Sequence, residues 1–166
     1  MKSISKILIG ASVLLMLTGL ANAQSFDADY KYALGLRAGG PSGITFKVMT
    51  QNNNSVEFIA GFWYDFINLT ALFEKNVPAF EVEGMNWYFG GGGHISFFTR
   101  EVMDDRWYYR RGEGYALGID GIVGLEYKIP PIPFAVSLDL KPFLEIDRSG
   151  DVHLGIDPGL GIKFTF

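Results

Sequence analysis

VHLGIDPGLGIKFTF, residues 152–166, decides how the chain folds. Val152, Leu154, Ile156, Pro158, Leu160, Ile162, Phe164 and Phe166 take every even position, and His153, Gly155, Asp157, Gly159, Gly161, Lys163 and Thr165 take the odd ones. Period-two writing of this kind puts one set on each face of a β-strand. The run is far longer than an ordinary strand of roughly 5–6 residues, and its last residue, Phe166, belongs to the apolar face. These features predict the closing strand of a transmembrane β-barrel, with the apolar face toward lipid and the polar face toward the lumen.

Working back along the chain, the same alternation recurs. Phe134, Val136, Leu138, Leu140, Leu144 and Ile146 oppose Ala135, Ser137, Asp139, Lys141 and Glu145. Tyr115, Leu117, Ile119, Val123, Leu125 and Tyr127 oppose Ala116, Gly118, Asp120, Gly124, Glu126 and Lys128. In residues 84–98, Met85, Trp87, Phe89, Ile95 and Phe97 oppose Asn86, Tyr88, His94 and Ser96. Four shorter stretches precede these. Tyr30, Tyr32, Leu34 and Leu36 face away from Lys31 and Arg37; Ile44, Phe46 and Val48 from Thr45 and Lys47. Val56, Phe58 and Phe62 face away from Glu57 and Gly61; Ile67, Leu69, Ala71 and Phe73 from Asn68, Thr70 and Glu74. The expected fold is therefore all-β, an eight-stranded antiparallel up-and-down transmembrane β-barrel.

An even strand count puts both termini on the periplasmic side. Surface turns are then expected at 39–42, 64–65, 99–113 and 147–151, and periplasmic turns at 51–54, 76–81 and 130–133, where Asn, Pro and polar runs stop the ladder. Aromatic girdles are expected at both rims: Tyr30, Tyr32, Phe58, Phe73, Trp87, Tyr127, Phe134, Phe164 and Phe166 near the periplasm, and Phe62, Tyr64, Phe66, Phe97 and Tyr115 near the surface.

The beginning of the chain points to the same compartment. Lys2 and Lys6 precede an apolar stretch from Ile7 to Leu20, and Ala21, Asn22 and Ala23 form a small-residue cleavage site. Residues 1–23 read as a secretory signal peptide and 24–166 as the outer-membrane barrel domain. The apolar stretch is shorter than the ~20 residues a spanning helix needs. There is no Cys for a lipid anchor or a disulfide. Two of the 14 basic residues belong to the signal, leaving 12 against 18 acidic ones, a balance that excludes nucleic acid as a partner. The 21 Gly and 15% aromatic content suit a barrel better than a soluble core.

Several strings carry a family likeness: Gly35, Leu36 and Arg37 leading to Gly43, Ile44, Thr45, Phe46 and Lys47; Asn86 through His94 with its four glycines; residues 118–127; and Ser137, Leu138, Asp139, Leu140, Lys141 and Pro142. Together they resemble a family of small outer-membrane β-barrel proteins common in Bacteroidota, over nearly the whole mature chain. The resemblance implies the fold and the compartment and no catalytic residue. In form the chain also looks like the narrow barrels of the outer-membrane protein A and X type.

The lumen face should carry Lys31, Arg37, Lys47, Lys128, Lys141 and Lys163 against Glu57, Glu74, Asp120, Glu126, Asp139, Glu145 and Asp157. An eight-stranded barrel has room inside only for its own side chains, and unpaired charges there cost several kcal/mol each. A salt-bridge network that fills the barrel is the expected arrangement. A selective pore would show rings of one sign. Gly35, Gly118, Gly124, Gly155 and Gly161 would make room for the long charged chains.

Gly90, Gly91, Gly92 and Gly93 lack the Lys-Ser/Thr ending of a phosphate loop and predict a bulged or strongly twisted strand. For catalysis, His94, Ser96 and His153, with Asp120 or Asp151, are the residues that could assemble an acyl-transfer group at the outer rim. Pro142 and Pro158 could open a lateral path for a lipid chain. His94 and His153 have no metal-ligand spacing, so no metal site and no cofactor is expected. The long surface loop carries Arg106, Trp107, Tyr108, Tyr109, Arg110 and Arg111, the residue types favoured at interaction hot spots.

The expected function is a non-enzymatic structural or interaction barrel of the Gram-negative outer membrane, docked as an accessory subunit to a larger envelope complex. The alternative is a lipid-modifying enzyme, by acyl transfer or deacylation, with its site at the rim; a third is a narrow channel. Expected partners are outer-membrane lipid and lipopolysaccharide, the barrel-assembly machinery during insertion, and an envelope protein complex.

Overall fold

The computed structural model describes residues 30–63, 66–98, 102–104, 108–111 and 114–166, with the backbone alone at 102–104 and 108–111. The expected signal peptide and the 64–65 turn lie outside these residues. Among the described residues, ten strands form: β1 Tyr32–Ala38, β2 Ser42–Met49, β3 Asn54–Trp63, β4 Phe66–Pro78, β5 Met85–Phe98, β6 Val102–Asp104, β7 Tyr108–Arg111, β8 Gly114–Ile129, β9 Phe134–Asp147 and β10 Val152–Thr165. Eight close into one antiparallel barrel in the order β1-β10-β9-β8-β5-β4-β3-β2, and β6 and β7 pair separately as a two-stranded sheet. The up-and-down eight-stranded barrel read from the alternation is the fold. The β6–β7 hairpin within the expected long loop has no period-two signature and was not legible.

The barrel is inside-out. Leu154 is 82% exposed and Leu36 61%, whereas Lys47 and Glu74 are 0% exposed. An eight-stranded barrel encloses so little space that its inward side chains bury one another, while every outward Leu, Ile and Phe is left on the surface. Contiguous apolar surface of this extent is rare on soluble monomers. Strands of 13 to 16 residues, rising about 3.3 Å per residue at a tilt near 40°, climb roughly 33–40 Å, more than an apolar band of about 25 Å requires.

The inner end carries Tyr30, Phe166 and the turns at 50–53, 79–84 and 130–133; the outer end carries the turns at 39–41 and 148–151. One inner turn starts later than expected. β4 runs on to Pro78, and Asn76 is buried, donating from Nδ2 to Ser55 Oγ at 2.9 Å. The reversal falls on Phe80 and Glu81, both at positive φ. At the outer end the wall is uneven: β1 pairs β10 only from Thr165 up to Leu160. Residues 152–159 of β10 keep β9 on one side and, among the described residues, no strand on the other. Pro158 sits on this free stretch, where a missing N–H costs little.

Local departures follow from the backbone. Both Lys31 N–H and Tyr32 N–H donate to Phe166 O, so the alternation slips ahead of β1. Lys31 turns outward and Tyr30 inward, the reverse of the expected faces. Phe66 also faces inward, 6% exposed, with its ring 5.5 Å from Phe98, because the even residues of β4 line the lumen; it does not belong to the outer girdle. At Gly90 to Gly93 no bulge forms, since β5 keeps one register with both β4 and β8. A Cβ at Gly90 or Gly92 would instead run into the carbonyls of Phe73 and Ala71, so the glycines allow a closer approach of β5 to β4 than side chains would.

Candidate functional site: the lumen and its outer mouth

The inward face sorts into two charge clusters. In the inner one, Lys47 Nζ lies 3.0 Å from Glu74, 3.7 Å from Glu126 and 3.9 Å from Glu57. Lys163 Nζ lies 3.0 Å from Glu126 and 3.1 Å from Glu57. Hydroxyls complete the carboxylates' shells: Thr45 donates to Glu57, Tyr30 to Glu126, and Ser55 to Glu74 at 3.0 Å. In the outer cluster, Arg37 clamps Asp139 at 2.6 Å and Asp157 at 2.8 Å, and Lys141 reaches Asp120 at 3.0 Å and Asp157 at 3.8 Å. Charges removed from water this thoroughly hold together because each meets an opposite charge.

The network is less balanced than the sequence suggested. Lys31 is exposed, with Nζ 5.5 Å from the Tyr32 ring. Lys128, near the inner mouth, bends out to donate to Ile132 O at 2.9 Å. Both belong to the rim, where their chains reach water or a turn carbonyl at lower cost than the lumen would impose. Among the described residues, the four remaining Lys and Arg side chains, Arg37, Lys47, Lys141 and Lys163, are buried with the seven carboxylates Glu57, Glu74, Asp120, Glu126, Asp139, Glu145 and Asp157.

Between the clusters lies a layer the sequence reading missed. Ile59, Leu72, Tyr88 and Ile122 are buried together at mid-lumen. The Tyr88 hydroxyl donates upward to Asp139 at 3.1 Å, and its ring faces Lys47 Nζ at 4.3 Å and Lys163 Nζ at 5.7 Å on the inner side. Cation–π attraction suits ammonium groups that have lost their water. A Cβ at Gly124 would collide with the Tyr88 ring, and one at Gly159 with the Arg37 guanidinium. The lumen glycines thus make room for an aromatic ring as well as charged chains. The signal in the sequence was inward phase alone: Ile59, Leu72 and Ile122 fall on the lumen face of their strands.

His94 and Ser96 meet at the outer mouth without forming a nucleophilic couple. His94 Nδ1 lies 2.7 Å from Asp120 and Nε2 3.0 Å from Glu145. A ring carrying protons on both nitrogens satisfies both carboxylates and has no lone pair for a hydroxyl. Ser96 Oγ donates to Glu145 at 2.9 Å and accepts from Asn68 Nδ2 at 3.0 Å. His153 is engaged elsewhere, 3.1 Å from Asp147, and Asp151 is exposed in the turn, its N–H donating to Asp147 at 3.0 Å. Slight burial pushes the Asp147 carboxyl up. The bonds from His153, Asp151 and Ser149 outweigh it and hold the group below the ordinary carboxylate range.

Pro142 and Pro158 leave no gap between β9 and β10, whose pairing is continuous from Val152↔Ile146 to Phe164↔Phe134. The ladder lapses instead between β8 and β9, beside Pro142. Of the expected interaction loop, Arg106 and Trp107 lie outside the described residues; Tyr108, Tyr109, Arg110 and Arg111 make up β7, paired with β6.

No family model matches the chain, and no curated protein matches it. Among solved structures, the barrel is similar to the crystal structure of Neisserial surface protein A (NspA), at 10% sequence identity over 81% of this chain and 93% of that chain, with a TM-score of 0.49. Identity that low transfers no residue role, and none of these comparisons supports the Bacteroidota family expected from the sequence.

Proposed function

We propose that the protein is an integral outer-membrane barrel whose lumen is sealed, with a structural or interaction role at the cell envelope. The observation that carries this reading is the pairing of an apolar outer belt with a lumen filled by two ion-pair clusters around the Tyr88 layer. A closed barrel satisfies its backbone between strands, which is what lipid demands, and its outward Leu, Ile and Phe supply the band that lipid covers. Among the described residues, the charged interior offers no apolar tunnel for an acyl chain, and the Tyr88 layer stands across the middle of the lumen, where ions would have to pass. Lipid modification and conduction therefore find little support beside a structural role.

The interaction half of the proposal rests on the sequence of the 99–113 segment, in which Arg106, Trp107, Tyr108, Tyr109, Arg110 and Arg111 follow one another. Arg and aromatic residues dominate binding hot spots, and a larger envelope complex is the partner this segment suits. Fractionation of the envelope followed by copurification in mild detergent tests both halves. Recovery in the outer membrane with a stoichiometric partner, lost on Trp107→Ala, supports the proposal. Recovery in the soluble fraction defeats the first half, and recovery alone in the outer membrane defeats the second.

A further inference from the structure

Positive charge gathers on one arc of the inner rim. On the outward face from Lys31 through β4, the described residues hold no carboxylate, and the charges there are Lys31 and Lys75. The two stand almost level. Met49 N–H donates to Lys31 O at 2.9 Å, Met49 pairs with Ser55, and Ser55 pairs with Glu74, the neighbour of Lys75. Three inter-strand spacings of about 4.8 Å therefore separate them, roughly 14 Å at the backbone. Between them hangs the 50–53 turn, its Gln51 and Asn52 exposed. Lys75 Nζ donates to Asn52 O and, with three N–H groups, can donate to a ligand as well. Lys31 Nζ lies 5.5 Å from the Tyr32 ring. That ring stacks on Phe46 at 6.3 Å and meets Phe166 at 5.7 Å, an aromatic group of the kind that marks the headgroup level. Toward the membrane centre, Phe46 pairs with Phe58, and Phe58 and Phe73 are 50% and 57% exposed. The exposed carboxylates described at the inner end, Glu81 and Glu83, belong to the next inner turn.

We propose that this arc binds an anionic phospholipid of the inner leaflet, its phosphate held by Lys31, Lys75 and the amides of the 50–53 turn and its acyl chains lying on Phe46, Phe58 and Phe73. Three features carry the inference: two outward cations at one level, a polar turn between them, and an aromatic slope leading from them toward the bilayer centre. Ammonium groups attract phosphate as point charges. A zwitterionic headgroup brings its own cation, which the two lysines repel, so the arc selects a lipid with net negative charge. The inference rests on the membrane-spanning barrel proposed above and adds to it a lipid of defined charge at one place on the circumference.

The full-length barrel is reconstituted in nanodiscs of equal phosphatidylglycerol and phosphatidylcholine, and the lipids it retains in mild detergent are counted by native mass spectrometry. Phosphatidylglycerol is expected to be retained over phosphatidylcholine by roughly thirtyfold, about fivefold for each lysine near an anionic headgroup. Lys31→Gln and Lys75→Gln should each remove about fivefold of that preference, and the double variant should abolish it. Lys31→Gln breaks no hydrogen bond to the turn and serves if Lys75→Gln disturbs the fold. Lys128→Gln, on β8 across the barrel, removes the same charge and should leave the preference unchanged. Equal retention of the two lipids by the parent overturns the site, as does a preference that survives the double variant. A loss from Lys128→Gln as large as that from Lys31→Gln also overturns it, since overall charge would then be the cause. A barrel that stays in the aqueous fraction and takes up no lipid defeats the membrane-spanning reading instead.

Discussion

Tyr88 on β5 donates its hydroxyl to Asp139 on β9, 3.1 Å across the lumen, and this contact marks the boundary between the two charge clusters. The hydroxyl belongs to the outer cluster, and the ring closes off the inner one through its contacts with Lys47 and Lys163. One side chain thus fills the lumen's centre and satisfies both sides chemically.

Removing that ring should open a path. Tyr88→Ala is expected to give small discrete conductances in planar bilayers and to cost about 3–5 kcal/mol in urea unfolding, the usual range for a buried aromatic cut to Ala. Tyr88→Phe keeps the ring and loses one hydrogen bond, so the barrel stays silent at a cost of about 1 kcal/mol. Conductance in the unaltered protein equal to that of Tyr88→Ala would show that the layer does not seal.

The inner cluster should respond asymmetrically to charge removal. Lys47→Met leaves Glu57, Glu74 and Glu126 with Lys163 as their remaining cation, and breaking a buried pair in this way typically costs about 3–5 kcal/mol. Adding Glu74→Gln should recover part of that loss, because the nearest carboxylate, 3.0 Å away, no longer lacks a partner. Equilibrium unfolding of both single variants and the double variant in vesicles measures the coupling. Strict additivity would mean that the two side chains do not form a working pair.

Ser96 and His94 should be dispensable for lipid chemistry. Mass spectrometry of outer-membrane lipid from cells carrying Ser96→Ala or His94→Ala is expected to match the parent in acyl pattern, since Ser96 donates to Glu145 and His94 has carboxylates at both nitrogens. The same product missing from both variants would restore the acyl-transfer reading.

How much of this was legible depends on which physical rule governs each residue. Strand number, face and order follow from alternation, which a closed barrel enforces on every residue, and so Asp157, Lys163, Leu138 and Leu160 fell where expected. Lys31 was misplaced because alternation says nothing before a strand begins, where a shared acceptor at Phe166 O turned it; Lys128 was misplaced because a residue near the end of β8 can keep its register while its long chain is drawn out to a turn carbonyl. Tyr88, Ile59, Leu72 and Ile122 lie in phase with the lumen, yet their meeting at one height depends on the stagger between strands that are distant in sequence.

The outer β9–β10 turn should loosen in acid. Asp147 accepts from Ser149 N–H at 2.8 Å and Asp151 N–H at 3.0 Å, and its carboxyl is held below the usual range. A depressed folded value means that the stabilisation is complete above the unfolded value near 3.9 and is lost as pH falls through the folded one. Amide exchange at Ser149 and Asp151 should therefore stay protected down to about pH 4 and lose protection below it, with Asp147→Asn abolishing the dependence. Protection that is flat with pH in the parent would rule this out.

The most direct measurement places nitroxide labels at Leu138 and Leu160, paired neighbours on the outward face, and at Ser149 in the outer turn, in the lipid-reconstituted protein. Greater exposure to oxygen than to a nickel chelate at Leu138 and Leu160, with the reverse at Ser149, is the expected pattern for a belt buried in lipid. Equal access of the nickel chelate to all three would show that water covers the apolar face and would contradict a membrane-spanning barrel.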